Sequence, residues 1–120
     1  MSKAMSVFLQ YLRLKFVEQV YNNSAQDNGR LVIPAFDGGY VIAGFTAPKG
    51  KDTWDAWLIK VDDNGNKLWD RVFYPESSEY HSGYCMTQSI DGGYVITGDV
   101  LPVGSAAWDA WLVKVDANGS

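Results

Sequence analysis

The chain holds one histidine and one cysteine, and these two side chains are the best suited to nucleophilic catalysis. His81 and Cys85 stand four residues apart, which is about 13 Å along an extended strand. They could form a catalytic pair only if the chain bent between them. The sequence therefore favours an ordinary loop position for His81 and a small buried hydrophobe for Cys85.

Two Trp-Asp dipeptides are the stronger candidates for ligand binding, and each lies just before a predicted strand. An exposed aromatic ring can stack on a sugar while a neighbouring carboxylate accepts hydrogen bonds from its hydroxyls. A purely structural role for both tryptophans is the competing interpretation and stays open. The candidate ligand-binding residues, with glycans as the ligand class, are Trp54, Asp55, Trp108 and Asp109.

The acidic segment Asp62-Asp63-Asn64-Gly65-Asn66 is similar to the first residues of a calcium-binding loop. An EF-hand loop needs glycine at its sixth position and a glutamate at its end. Lys67 stands at the sixth position here, so a hairpin turn explains the segment better. We predict no metal site, no cofactor and no catalytic residue.

The composition is that of one globular domain, with 120 residues of which 47% are hydrophobic. It excludes a disordered or collagen-like chain. The net charge of −4 comes without a basic stripe, so we predict no nucleic-acid partner. A single cysteine excludes an internal disulfide.

The N-terminal residues lack the features of a targeting signal. Gln10, Arg13 and Lys15 interrupt the apolar stretch, whereas a signal peptide needs an apolar core of about 7–15 residues. No window approaches the ~18 consecutive apolar residues of a membrane-spanning helix. We therefore predict no membrane partner, and either a cytoplasmic protein or a piece of a longer exported one.

Internal repetition is the strongest signal in the sequence. Residues 37–65 match residues 91–119 at an offset of 54 without a gap, and 19 of the 29 aligned positions are identical. At an offset of 52, residues 15–21 match residues 67–73 in residue class at each position. The chain is therefore one domain of two copies, residues 15–66 and residues 67–120, behind a leader of residues 1–14.

Each copy has the two-residue periodicity of β-strands. In Trp57–Asp62 the larger apolar residues alternate with polar ones, although Leu58 on the polar side indicates that this face is covered too. Asp37-Gly38 and Asn64-Gly65 favour two-residue hairpin turns, in which both residues have positive φ. The strands predicted for the first copy are Phe16–Tyr21, Arg30–Ala35, Tyr40–Gly44 and Ala56–Asp62.

Two details qualify this assignment. Pro34 cannot donate a ladder hydrogen bond, so its strand is predicted to be an edge strand. Met5, Phe8, Leu12 and Val20 fall at helical spacing, but the repeat match argues for a strand over residues 16–21. The leader, residues 1–14, is predicted to be helical or disordered.

Four-stranded antiparallel units of this length, apolar on both faces, are the blades of β-propellers. The order Asp-Gly-Gly-Tyr, Asp-Ala-Trp-Leu, Lys-Val-Asp, Asn-Gly and tryptophan resembles the blade repeats of a propeller family common in exported bacterial and archaeal proteins, over about residues 15–119. The resemblance implies an all-β fold of two blades rather than an activity. The chain departs from the family in having only two copies, and Val17 stands where the second copy has Trp69.

The segment from Val61 to Trp69 also resembles the tryptophan-docking repeat of quinoprotein propellers. In that family the motif ties adjacent blades together, and the cofactor and metal ligands lie elsewhere. No counterpart of those ligands is visible in this sequence. The resemblance therefore implies a packing role for Trp69 and argues against an enzyme.

Two blades cannot close a ring, because each blade buries its faces only against neighbours. The strand Phe16–Tyr21 is expected to complete the sheet that ends with Leu112–Asp116, in the same chain or in a neighbouring one. Three chains would then form a six-bladed ring and four an eight-bladed one, so we predict a homo-oligomer, trimer or tetramer. A two-sheet sandwich and a fragment of a larger surface propeller are the alternatives.

The function predicted from the sequence is a non-enzymatic binding or interaction module. Its expected partners are other copies of itself and a glycan or protein ligand. The alternative is an enzyme in which an assembled ring brings Asp55, Asp109 and His81 around a central channel. The lone histidine favours the binding module.

Overall fold

The computed structural model describes residues 16–23, 26–47, 54–73, 78–102 and 104–120. The predicted leader, residues 1–14, lies outside them. The backbone of His81 lies in a strand, so its predicted loop position is wrong, while its side chain is outside the described part. The described residues form seven strands and no helix, which confirms the predicted all-β class.

Hairpins between consecutive strands build two antiparallel sheets. Sheet 1 has the order β1-β2-β3-β4, and sheet 2 has the order β5-β6-β7. The strands are β1 (Gln26–Pro34), β2 (Tyr40–Ala47), β3 (Asp55–Val61), β4 (Lys67–Phe73), β5 (Ser78–Gln88), β6 (Tyr94–Pro102) and β7 (Asp109–Val115). β1 is an edge strand of sheet 1, as Pro34 predicts.

The turns at the ends of the strands follow one pattern, which is not the predicted one. After β3, the amide of Gly65 donates to the Asp62 carbonyl, and the amide of Asp62 donates to the Asn66 carbonyl. Gly65 has a φ of +83° but Asn64 has no positive φ, so this is a three-residue loop with glycine last. The turns containing Gly38, Gly92 and Gly119 repeat the same hydrogen bonds.

Two predictions about strands are wrong for the single chain. Sheet 2 has three described strands rather than four, and residues 16–21 are not a strand. β4, which opens the second sequence copy, pairs with β3 and belongs to sheet 1. Because β4 occupies that edge of β3, residues 16–21 pack on a face of sheet 1, where the Tyr21 hydroxyl donates to the Gly65 carbonyl.

Each sheet has two faces. We define them by the residues of β2 and β3 in sheet 1 and of the equivalent strands β6 and β7 in sheet 2. Alternate residues of a strand point to opposite faces. The front face carries Tyr40, Ile42, Trp57, Ile59 and Val61 in sheet 1, and Tyr94, Ile96, Trp111, Val113 and Val115 in sheet 2. The back face carries Val41, Ala43, Leu58 and Lys60 in sheet 1, and Val95, Thr97, Leu112 and Lys114 in sheet 2.

The main core lies between the back face of sheet 1 and the front face of sheet 2. Val41 and Leu58 are buried there in one cluster with Tyr94 and Ile96. The expectation that the face bearing Leu58 is covered is thus confirmed. The two sheets meet through unlike faces. Of two equivalent residues in the two copies, one therefore lies in the contact and the other on an outer face.

A smaller cluster lies on the front face of sheet 1. It contains Trp57, Ile59 and Val61, with Tyr21 and Val72 packed against it. Trp57 is buried, as its mid-strand position predicts. Cys85, in contrast, is exposed, and its predicted burial is wrong. Cys85 pairs with Thr97 of the back face of sheet 2, which is the face turned away from sheet 1.

Candidate functional site

The first candidate surface is the back face of sheet 2 together with the free edge of β7. Leu112 is 66% exposed, although its equivalent in sheet 1, Leu58, is 0% exposed. In the described part of the chain β7 pairs with β6 alone, whereas its equivalent β3 is paired on both sides. The repeated segment is therefore buried in sheet 1 and exposed in sheet 2.

The second candidate surface is the front face of sheet 1. Tyr40 is 47% exposed, whereas its equivalent Tyr94 is 0% exposed under sheet 1. Beside Tyr40 lies a groove of about 530 Å³, which runs between residues 17–21 and the sheet and includes Val17, Val32 and Val61 in its lining. Exposed apolar residues beside a groove are one feature of association sites.

The contact between the two sheets shows how such surfaces fit together. Trp69 of β4 lies on the turn after β7, where a Cβ on Gly119 would be 2.8 Å from the indole ring. Arg71 donates a hydrogen bond of 2.8 Å to the Gly119 carbonyl. Phe73 meets Trp111 edge to face, with ring centroids 5.7 Å apart. The packing role predicted for Trp69 is confirmed.

Residues 17–21 lie on sheet 1 as β4 lies on sheet 2. A Cβ on Gly65, the equivalent of Gly119, would be 2.9 Å from Val17 and 2.8 Å from Gln19. Val17 and Gln19 correspond to Trp69 and Arg71 at the offset of 52. Residues 17–21 are not a strand. They nevertheless lie on sheet 1 in the place that β4, the fourth strand of sheet 1, has on sheet 2.

Charged pairs differ between the two sheets in the same way as the apolar residues. The Lys60 ammonium group lies 2.7 Å from the Asp37 carboxylate and donates to the Gly38 carbonyl, with its side chain 3% exposed. In sheet 2 the equivalent pair, Lys114 and Asp91, is about half exposed. Hydrogen bonding from Lys60 lowers the pKa of Asp37, and hydrogen bonding from Lys114 lowers the pKa of Asp91.

Replacing Asp37 with asparagine is expected to destabilise the fold by about 1–3 kcal/mol, because the buried Lys60 charge loses its carboxylate partner. The matched variant Asp91→Asn should have a much smaller effect, since Lys114 is exposed to water. Urea unfolding of both variants measures the difference.

The contribution of Asp37 should also depend on pH. Its pKa in the folded state is below the unfolded value of about 3.9. The stability it supplies is therefore complete above about pH 5 and is lost as the pH falls through the folded pKa. Equal unfolding free energies for wild type and Asp37→Asn at neutral pH would contradict this account.

The four predicted ligand-binding residues occupy equivalent places in the two sheets. Trp54 directly precedes β3 and Trp108 precedes β7, while Asp55 and Asp109 are the first residues of those strands. The Trp54 ring stacks on Phe45 with centroids 4.8 Å apart, so one of its faces is covered. Trp108 is 52% exposed and Asp109 is exposed.

Sequence reasoning missed the pairing of unlike faces, which is the main property of these surfaces. The repeat itself carries the signal, because Leu58 and Leu112 cannot both be buried in a two-sheet contact of this kind. Within the residues that the structure describes, no group of three or more His, Cys, Asp and Glu side chains could hold a metal ion. In the same residues, no helix has the length and apolarity to cross a membrane.

No protein-family model matches the chain, and no curated protein matches it significantly.

Proposed function

We propose that the chain is a non-enzymatic β-propeller-type interaction module that assembles head to tail with copies of itself. The packing of the back face of sheet 1 on the front face of sheet 2 carries the proposal. The equivalent faces of the same chain keep exposed apolar residues, Leu112 on the back of sheet 2 and Val32 and Tyr40 on the front of sheet 1. A second copy can therefore reuse the contact that already joins the two sheets.

Such a contact is heterologous, because the two surfaces that meet are different. Repetition of a heterologous contact gives a closed ring if the rotation closes and a filament if it does not. Propellers typically have 4–8 blades; three copies of a two-bladed chain would form a six-bladed ring and four copies an eight-bladed one. In this ring the N-terminal segment completes the three-stranded sheet 2.

The experiment that tests assembly uses two variants that each block one surface. Leu112→Arg places a charge on the back face of sheet 2, and Tyr40→Asp places one on the front face of sheet 1. Each variant alone is expected to be monomeric by native mass spectrometry, whereas the wild type forms a trimer or tetramer. An equimolar mixture of the variants should stop at a dimer, since each retains one intact surface.

The circular dichroism spectra of both variants provide the control, because a folded monomer is required for the interpretation. A wild-type protein that stays a compact monomer at high micromolar concentration would contradict the proposal. A dimer formed by Leu112→Arg alone would contradict the pairing of unlike faces, since that variant lacks one of the two surfaces.

Glycan recognition is a second candidate function, favoured by the exposed Trp108 ring beside the exposed Asp109 carboxylate. A ring of copies would present this pair several times, which raises avidity without high affinity at one site. On a glycan array, Trp108→Ala is expected to abolish binding. Trp54→Ala should reduce binding less, because Phe45 already covers one face of its ring. Unchanged array signals for both variants would contradict glycan binding.

A further inference from the structure

We infer that residues 16–21 of one copy add to the free edge of β7 in a neighbouring copy, as the fourth strand of its sheet 2. The inference rests on the proposed head-to-tail assembly and names the segment and the register that join two copies. Extended segments commonly bind exposed sheet edges through main-chain hydrogen bonds. Among the described residues, β7 has no strand paired on its side away from β6 and so offers such an edge.

The internal repeat supplies the register of the added strand. In sheet 1, β3 pairs with β4 so that Leu58 lies opposite Arg71 and Lys60 lies opposite Trp69. β7 follows β3 by 54 residues, and the segment 15–21 precedes β4 by 52 residues. The transferred antiparallel pairs are Ala110 with Tyr21, Leu112 with Gln19, and Lys114 with Val17.

The N-terminal segment already has the position that this pairing requires. β4 does two things at once: it pairs with β3 and it packs on the turn of the following sheet through Trp69. Residues 17–21 do the second of these, since Val17, Gln19 and Tyr21 surround Gly65 of their own sheet 1. A copy that places the back face of its sheet 2 on this sheet brings β7 beside them.

The side chains of the segment also match those of β4. Val20 is almost fully exposed in the single chain, whereas its equivalent Val72 packs against the cluster around Trp57. Glu18 corresponds to Asp70, whose carboxylate accepts a 2.9 Å hydrogen bond from the Trp57 indole. Strand addition places Val20 and Glu18 beside Trp111 of the neighbouring copy, which is the equivalent of Trp57.

Cysteine cross-linking between separate variants tests the register. Gln19→Cys and Leu112→Cys are made singly in a Cys85→Ser background, one of them isotopically labelled, then mixed and oxidised. Side chains directly opposite each other in a sheet are close enough for a disulfide. We expect a shift from monomer to a mixed covalent dimer on a non-reducing gel. The same mixture with Val20→Cys in place of Gln19→Cys should show little, because residue 20 points to the other face of the sheet.

The outcomes separate this inference from the proposed function. An assembly that forms normally while neither the Gln19–Leu112 nor the Val17–Lys114 cysteine pair cross-links would overturn the strand addition and leave the assembly standing. In a double variant that carries both Gln19→Cys and Leu112→Cys, a disulfide that forms only within one chain would contradict strand addition between copies. Absence of any oligomer by native mass spectrometry would instead overturn the proposed function itself.

Discussion

Replacement of Leu58 with alanine is expected to lower the free energy of unfolding by about 2–5 kcal/mol, the range for a leucine truncated in a close-packed core. Leu58 is fully buried between the sheets, in one cluster with Val41 and Tyr94. The cavity left behind cannot collapse easily, because strands pack on both sides of it. Urea denaturation at low protein concentration measures the loss.

Leu112→Ala is the matched control, since it makes the same chemical change at the equivalent position of the other copy. Leu112 is exposed in the single chain, and a surface substitution of this kind changes stability by about 0.5 kcal/mol or less. Its effect should appear in assembly instead, as a weaker oligomer. Equal losses of stability for the two variants at low concentration would show that the two sheets do not differ as described.

Gly39→Ala is expected to destabilise the fold by about 2–5 kcal/mol, from positive φ and overpacking together. Gly39 is the second glycine of the Asp-Gly-Gly-Tyr motif and has a φ of +73°. A Cβ there would lie 2.1 Å from the Val61 carbonyl oxygen and 2.9 Å from the Asp62 Cα. These are backbone atoms, which cannot rotate away as the end of a side chain could.

Gly104→Ala separates the two causes. Gly104 has a φ of +77°, but a Cβ there would meet no atom within 4 Å. Its replacement should therefore cost only the conformational strain, about 1–2 kcal/mol. If thermal unfolding shows the same loss for both glycines, then the close approach of β3 to the motif does not contribute to stability.

The regular part of the fold was predictable because its signals are local. Alternation of apolar residues locates β3 and β7, a continuous apolar run locates β2, and Pro34 identifies the edge strand. The exact loop type was not predictable from Asn64-Gly65. Its three-residue geometry depends on the hydrogen bond between Asp62 and Asn66, which the dipeptide does not determine.

The placement of residues 16–21 could not be read from the repeat alone. Similarity to β4 predicts that the segment can be a strand, but a strand also needs a free partner edge. In the single chain β4 already occupies the edge of β3, and the free edge of β7 belongs to the other sheet. The exposure of Cys85 has the same origin, because burial of the back face depends on what covers it.

The four candidate ligand-binding residues show the limit of reasoning by residue type. The pattern Trp-Asp is identical in both copies, yet Phe45 covers a face of Trp54, and Asp99 stands at the position of Phe45 in the second copy. The surroundings of each tryptophan ring therefore depend on residues outside the dipeptide, which the dipeptide pattern does not show.

Val17 stands where the second copy has Trp69, and this difference has a mechanical consequence. Trp69 lies against Gly119 inside the chain, whereas the smaller Val17 lies against Gly65 and lines a groove of about 530 Å³. If copies assemble head to tail as proposed, the contact at Val17 should separate on heating before the contact at Trp69, so that subunits come apart with both of their sheets still joined.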